Sequence, residues 1–106
     1  MADVYSTRLL QEHELGALTT YTVPDGFIAI VRDIDVFFTT LAAGAVQVEN
    51  PAGGIFAYFA APGGNSICIP WRGRQVLEPG DEIGVVASMD FGTADLMMSG
   101  YLLAAP

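Results

Sequence analysis

The sequence predicts an all-β chain, a single-domain antiparallel β-sandwich, jelly-roll-like, of seven to nine short strands. Three observations carry this. Short runs rich in Val, Ile, Thr, Tyr and Phe recur along the chain, each bounded by Gly, Pro, Asp or Asn. The breaks fall roughly every 8–12 residues, the spacing of sandwiches and barrels. The segment "FIAIVRDIDVFF" alternates with period two, as a strand does and a helix does not. At 106 residues the chain holds one core and has no room for a second.

Taken in order, "VYSTRLL" (Val4 to Leu10) and "ALTTYTV" (Ala17 to Val23) are the first two candidate strands. The stretch between them, "RLLQEHELGAL", would also fit a short helix stopped by Gly16, but its apolar positions run out after Leu10. Residues 1–16 are therefore read as an N-terminal arm or first strand, and residues 17–106 as the sandwich. "VPDGF" is a turn, with Pro24 at the first central position and Gly26 at the fourth, a type I pattern. In the long strand that follows, the even positions Ile28, Ile30, Arg32, Ile34, Val36 and Phe38 form one row, with Asp33 and Asp35 on the other side. "AVQVE", "NPAGG" and "IFAYFAA" read as strand, loop and strand, closed by "APGGN". "SICIPW" is a short strand ended by Pro70, which marks an edge or a bend. "RQVLE" leads into "EPGD", where Pro79 and Gly80 fit a type II turn. "EIGVVASM" and "DLMMSGYLLA" are the last strands, and Gly84 and Gly100 inside them mark bulges or close backbone contact.

Composition narrows the function. Twelve acids face four arginines and no lysine, a formal net charge of −8. Phosphate backbones and anionic membranes are bound with basic side chains, so neither nucleic acid nor a membrane surface is an expected partner. At 52% hydrophobic and 15% charged, the chain carries more apolar side chain than a small monomer hides easily. Part of its surface is therefore expected to be covered by copies or partners. Cys68, the single cysteine, lies between two isoleucines and reads as a buried, inert thiol. One cysteine closes no internal disulfide. No signal peptide or membrane-spanning run is apparent.

Chemistry-bearing constellations are sparse. His13 is the single histidine, and its neighbours Glu12 and Glu14 cannot all converge with it on one point in a regular element. "DFGTAD" and "RDID" each hold two carboxylates, short of a dedicated calcium loop. Ser88 and Ser99 sit in strands without a histidine nearby in sequence. Asp33 and Asp35 share a strand face, about 7 Å apart, and read as a solvated row rather than an acid–base pair. No catalytic, cofactor or metal residue is expected. Trp71, Tyr58, Phe59, Tyr101 and Tyr21 could form a sugar-stacking platform, although sandwiches commonly use such rings as core.

The corner "WRGRQVLEPGDEIGVV" holds two of the four arginines and the one tryptophan. Arg72 and Arg74 should project to one side of the strand, with Trp71 opposite. Arginine pairs bidentately with carboxylates, and Trp and Arg are enriched where proteins meet. Arg32 falls in the apolar row of the longest strand, where it is either paired inside or buried on assembly. Arg32, Trp71, Arg72 and Arg74 are thus the expected interface residues.

With "YTVPDGFIAIVRDIDVFF", "WRGRQVLEPGDEIGVVAS" and "MMSGYLL" in view, the chain resembles small jelly-roll structural proteins of tailed bacteriophages. The likeness covers most of residues 17–104 and is one of turn and strand pattern. It implies a non-enzymatic virion component, often trimeric, assembled in the host cytoplasm. Such a protein decorates or stabilises the capsid or forms part of the tail, with itself and the major capsid or tail proteins as partners. An alternative is a carbohydrate- or receptor-binding sandwich on the virion surface. A small jelly-roll enzyme is disfavoured by the single histidine.

Overall fold

The computed structural model describes residues 4–39, 42–62 and 66–106. Eight strands follow in order: β1 (Val4–Glu12), β2 (Leu18–Thr22), β3 (Phe27–Phe38), β4 (Ala43–Glu49), β5 (Ile55–Pro62), β6 (Ile67–Leu77), β7 (Glu82–Phe91) and β8 (Ala94–Ala104). Two four-stranded sheets result, ordered β1-β8-β3-β6 and β2-β7-β4-β5. Every pairing is antiparallel, and each of the first four strands pairs with its counterpart from the end of the series: β1 with β8, β2 with β7, β3 with β6, β4 with β5. The chain is thus one long hairpin rolled up and closed along the β3–β8 and β4–β7 seams. That winding is the jelly roll the sequence predicts.

The segment before residue 17 supplies an edge strand, β1, and Leu9 and Leu10 from it pack on the core. No helix occurs among the described residues. "SICIPW" and "RQVLE" are one strand rather than two: β6 runs through Pro70 without a break. Proline is tolerated because β6 is an edge strand, with a neighbour on one side only. The loop "APGGN" falls largely outside the described residues. The "VPDGF" turn is closed by the Phe27 amide donating to the Pro24 carbonyl, with Gly26 at φ +82°. Gly26 therefore occupies the third position of a type II turn, one residue away from the type I register expected. The Glu78–Asp81 turn has the expected geometry: the Asp81 amide donates to the Glu78 carbonyl and Gly80 has φ +84°.

The core fills from the inner rows of both sheets. Phe38, Ile34, Leu77, Leu96 and Met98 from the first sheet meet Phe59, Ile83, Val46 and Val48 from the second, all fully buried. At roughly 1.5–3 kcal/mol for each large side chain removed from water, these rows dominate the stabilisation. No polar or charged residue is buried among the described residues.

One irregularity organises the first sheet. Between Val31 and Asp33 the register of β3 shifts against both β8 and β6, with Arg32 as the extra residue against β8. The register of β1 shifts at the same level, between Arg8 and Leu10. A bulged residue changes the phase of the strand. Ala29 and Val31 point inward before it, and Ile34, Val36 and Phe38 after it. The single even-numbered row read from the sequence does not exist. Ile28, Ile30 and Arg32 face outward, and Arg32 is exposed rather than buried among apolar neighbours. Gly100, opposite Val31, makes this possible. A Cβ there would collide with the Ile30 carbonyl and crowd the Arg32 amide, so the close approach requires glycine.

Gly100→Ala should therefore lower stability by about 3 kcal/mol in urea denaturation. Gly16→Ala, where nothing lies within 4 Å, should change it by less than ~0.5 kcal/mol. Adjacent phenylalanines give a second contrast: Phe38 is 1% exposed and Phe37 53%. Phe38→Ala should cost about 3–5 kcal/mol and Phe37→Ala less than ~1 kcal/mol.

Candidate interaction surface

The outer face of the first sheet gathers what the core leaves over. Register and alternation arrange it as crosswise rows. Tyr101, Ile30 and Val76 form one, flanked by Ile28 and Leu103. Next, at the level of the bulge, come Arg8, Ser99, Arg32, Asp33, Arg72 and Arg74. Beyond them lie Met97, Asp35 and Pro70, then Asp95, Phe37 and Cys68. All four cationic side chains of the chain thus sit on one face of one sheet, in a bar with apolar residues on either side.

Arg72 is the anchor of the bar. Its Nε lies 3.3 Å from Asp33 Oδ1 and its Nη2 3.0 Å from Asp35 Oδ1. Its Nη1 donates to the Trp71 carbonyl at 3.1 Å. The guanidinium thus ties β6 to β3 beside the bulge, and Asp33 and Asp35, which do share a face, are partners of an arginine. With Arg72 55% exposed, these pairs are worth about 0–1 kcal/mol each. Arg32 and Arg74 make no ion pair among the described residues. They border a shallow depression of about 290 Å³ with Ile30, Tyr101 and Leu103.

Trp71 lies on the opposite side of β6, as the alternation requires, and turns inward. Its ring meets Phe56 edge-on, centroids 5.4 Å apart and planes at 68°. The indole also lies over Gly73, where a Cβ would sit 2.7 Å from its Cζ2 atom. Trp71 closes the open side of the sandwich between the β5 and β6 edges, leaving Arg32, Arg72 and Arg74 on the face. The other aromatics are dispersed: Phe59 is in the core, Tyr21 packs against it, and Tyr58 and Tyr101 face outward from different sheets. They make no common platform.

Cys68 is exposed rather than buried. The flanking Ile67 and Ile69 pair with the inward Phe38 and Val36, so the residue between them pairs with outward Phe37. Partial desolvation pushes its thiol pKa up, Asp35 adds to this, and Arg72 opposes it. Thiolate is scarce there at neutral pH.

His13 does meet a carboxylate. Its Nδ1 lies 2.9 Å from Asp95 Oδ1, while its side chain is 78% exposed. The same oxygen accepts the Glu14 amide at 2.8 Å, at a residue with φ +54°. Asp95 thereby fastens the β1–β2 connection to β8. The adjoining hollow, about 180 Å³, is lined by Gln11, Phe37 and Met97 among others, with no serine, threonine or cysteine. No group of three or more His, Cys, Asp or Glu side chains suited to a metal occurs among the described residues.

The second sheet presents the opposite electrostatic character. Glu49, Asp81 and Glu82, with Thr20 and the glycines Gly53, Gly80 and Gly84, line a hollow of about 340 Å³ where the β4–β5 and β6–β7 turns meet. Leu18 and Tyr58 stand exposed on the same outer face. None of the four arginines is there.

No family model and no curated protein matches the chain. Among solved structures, the chain is similar to one in the structure of the Gx strain of infectious bursal disease virus. Identity is 13% and the TM-score 0.30, over 98% of this chain and 37% of that one, so the chain spans little more than a third of that neighbour's length.

The Asp95 tie predicts a pH dependence. The Glu14 amide holds the Asp95 carboxyl below the usual carboxylate range; desolvation opposes it, and His13 adds to the lowering. A group whose folded pKa is lowered contributes stability above its unfolded pKa and loses it as pH falls through the folded value. The melting temperature of wild type should exceed that of Asp95→Asn at about pH 6, and the gap should close towards about pH 2.5.

Proposed function

We propose that this protein is a non-enzymatic structural component of a virion, a small accessory protein that works through protein–protein contacts. The observation that carries the reading is the outer face of the first sheet. Phe37, Met97, Tyr101 and Val76 stand exposed there around the arginine bar, while the inner rows already complete the core. Apolar side chains left outside and interleaved with Arg are the composition of a contact surface. The jelly-roll winding presents that face as a broad, shallow plane rather than a cleft, suited to packing against another protein.

The finer reading comes from the resemblance in sequence pattern: a tailed-bacteriophage protein that decorates or stabilises the capsid or forms part of the tail. Cosedimentation with virions tests it. The purified protein should pellet saturably with particles lacking it, and Phe37→Glu with Tyr101→Glu should abolish pelleting while circular dichroism stays unchanged. A protein that never associates with the particle, or that associates equally well with both substitutions, overturns the reading. The glycan-binding alternative has two aromatics exposed on the second sheet, Tyr58 at 59% and Phe91 at 70%. It predicts thermal stabilisation by a glycan that Tyr58→Ala removes.

A further inference from the structure

We infer that the arginine face of one copy packs against the acidic outer face of a second copy, head to tail. The inference rests on the reading of that face as a contact surface and names what covers it.

Charge selects the occupant. Arg72 is already committed to Asp33 and Asp35, whereas Arg32 and Arg74 have no carboxylate among the described residues. Two arginine faces set against each other would oppose cation to cation across the bar. The acids the arginines lack are on the other side of the same molecule: Glu49, Asp81 and Glu82 line the hollow on the second sheet. Guanidinium groups favour carboxylate partners with fork geometry, and complementary charge fixes register.

Apolar surface matches as well. Beside Arg32 and Arg74 stand Tyr101, Ile30 and Leu103, and beside the acidic hollow stands Leu18, 65% exposed. The molecule measures 49 × 23 × 19 Å, so a broad face can supply the ~800 Å² each partner gives to a standard interface. Because the two surfaces lie on opposite sheets, the contact is heterologous and propagates into a ring or a chain of copies.

Charge reversal tests this. Wild type at low salt should exceed the monomer mass in sedimentation, and should dissociate between about 0.05 and 0.5 M salt. Arg32→Glu with Arg74→Glu should weaken association at least about tenfold, as should Glu49→Arg with Glu82→Arg. All four substitutions in one chain should restore association, as should mixing the two double variants; circular dichroism checks that each is folded. The inference is overturned if wild type stays monomeric at low salt, or if it associates and the four-fold variant does not regain association. A monomer that still pellets with virions leaves the virion reading standing. An assembly that never pellets leaves the copy-to-copy contact standing and removes that reading.

Discussion

The extra residue at Arg32 is the constraint on which the rest of the first sheet depends. Without it, β3 would keep one phase throughout its length. The strand would then bury Ala29 and Val31 together with Asp33 and Asp35, or Ile34 and Val36 together with Arg32. Either choice puts charge into a core that holds none among the described residues. The bulge resolves the conflict by placing Arg32 and Asp33 both outside, and every apolar residue of the inner row inside. Its geometrical requirement falls on β8, where Gly100 lets the two backbones approach. Its electrostatic consequence falls on β6, where Arg72 spans Asp33 and Asp35.

The fold was legible because its signals are local. Strand runs and Pro-Gly turns are written within a few residues of where they act, and β3 ends where its apolar run ends. Arg72 and Arg74 opposite Trp71 also follow from alternation along one strand. What was missed requires partners distant in sequence. "IVRDI" looks like an unbroken alternation, and its change of phase becomes visible only when Gly100 is set beside Val31. The exposure of Cys68 follows from its pairing with Phe37, a register no local pattern contains. Pro70 punctuates the sequence but not the edge strand that carries it. Two adjacent charges inside an apolar strand, together with a glycine inside another, are the signal that could have located the bulge.

The same separation explains the surface. Folding requires that one face of each sheet be apolar, and the inner rows satisfy that requirement. Folding does not require exposed Phe37, Met97 and Tyr101 on the outer face, nor all four arginines among them. An acidic protein with its cations confined to one plane has a polarity across the sandwich: a face that seeks carboxylates, and an opposite face that offers them. That polarity is what the proposed contact between copies would use.

Two adjacent methionines test this account most directly. Met97 lies on the outer face, 37% exposed, and Met98 is in the core, 0% exposed. Hydrogen peroxide oxidation read by mass spectrometry reports on both sites in one peptide, since exposure governs sulfoxide formation. In dispersed protein at high salt, Met97 should oxidise readily and Met98 should stay protected. In the assembled state Met97 should become protected several-fold while Met98 is unchanged. Equal oxidation of Met97 in dispersed and assembled protein would contradict the claim that this face is where the protein makes its contacts.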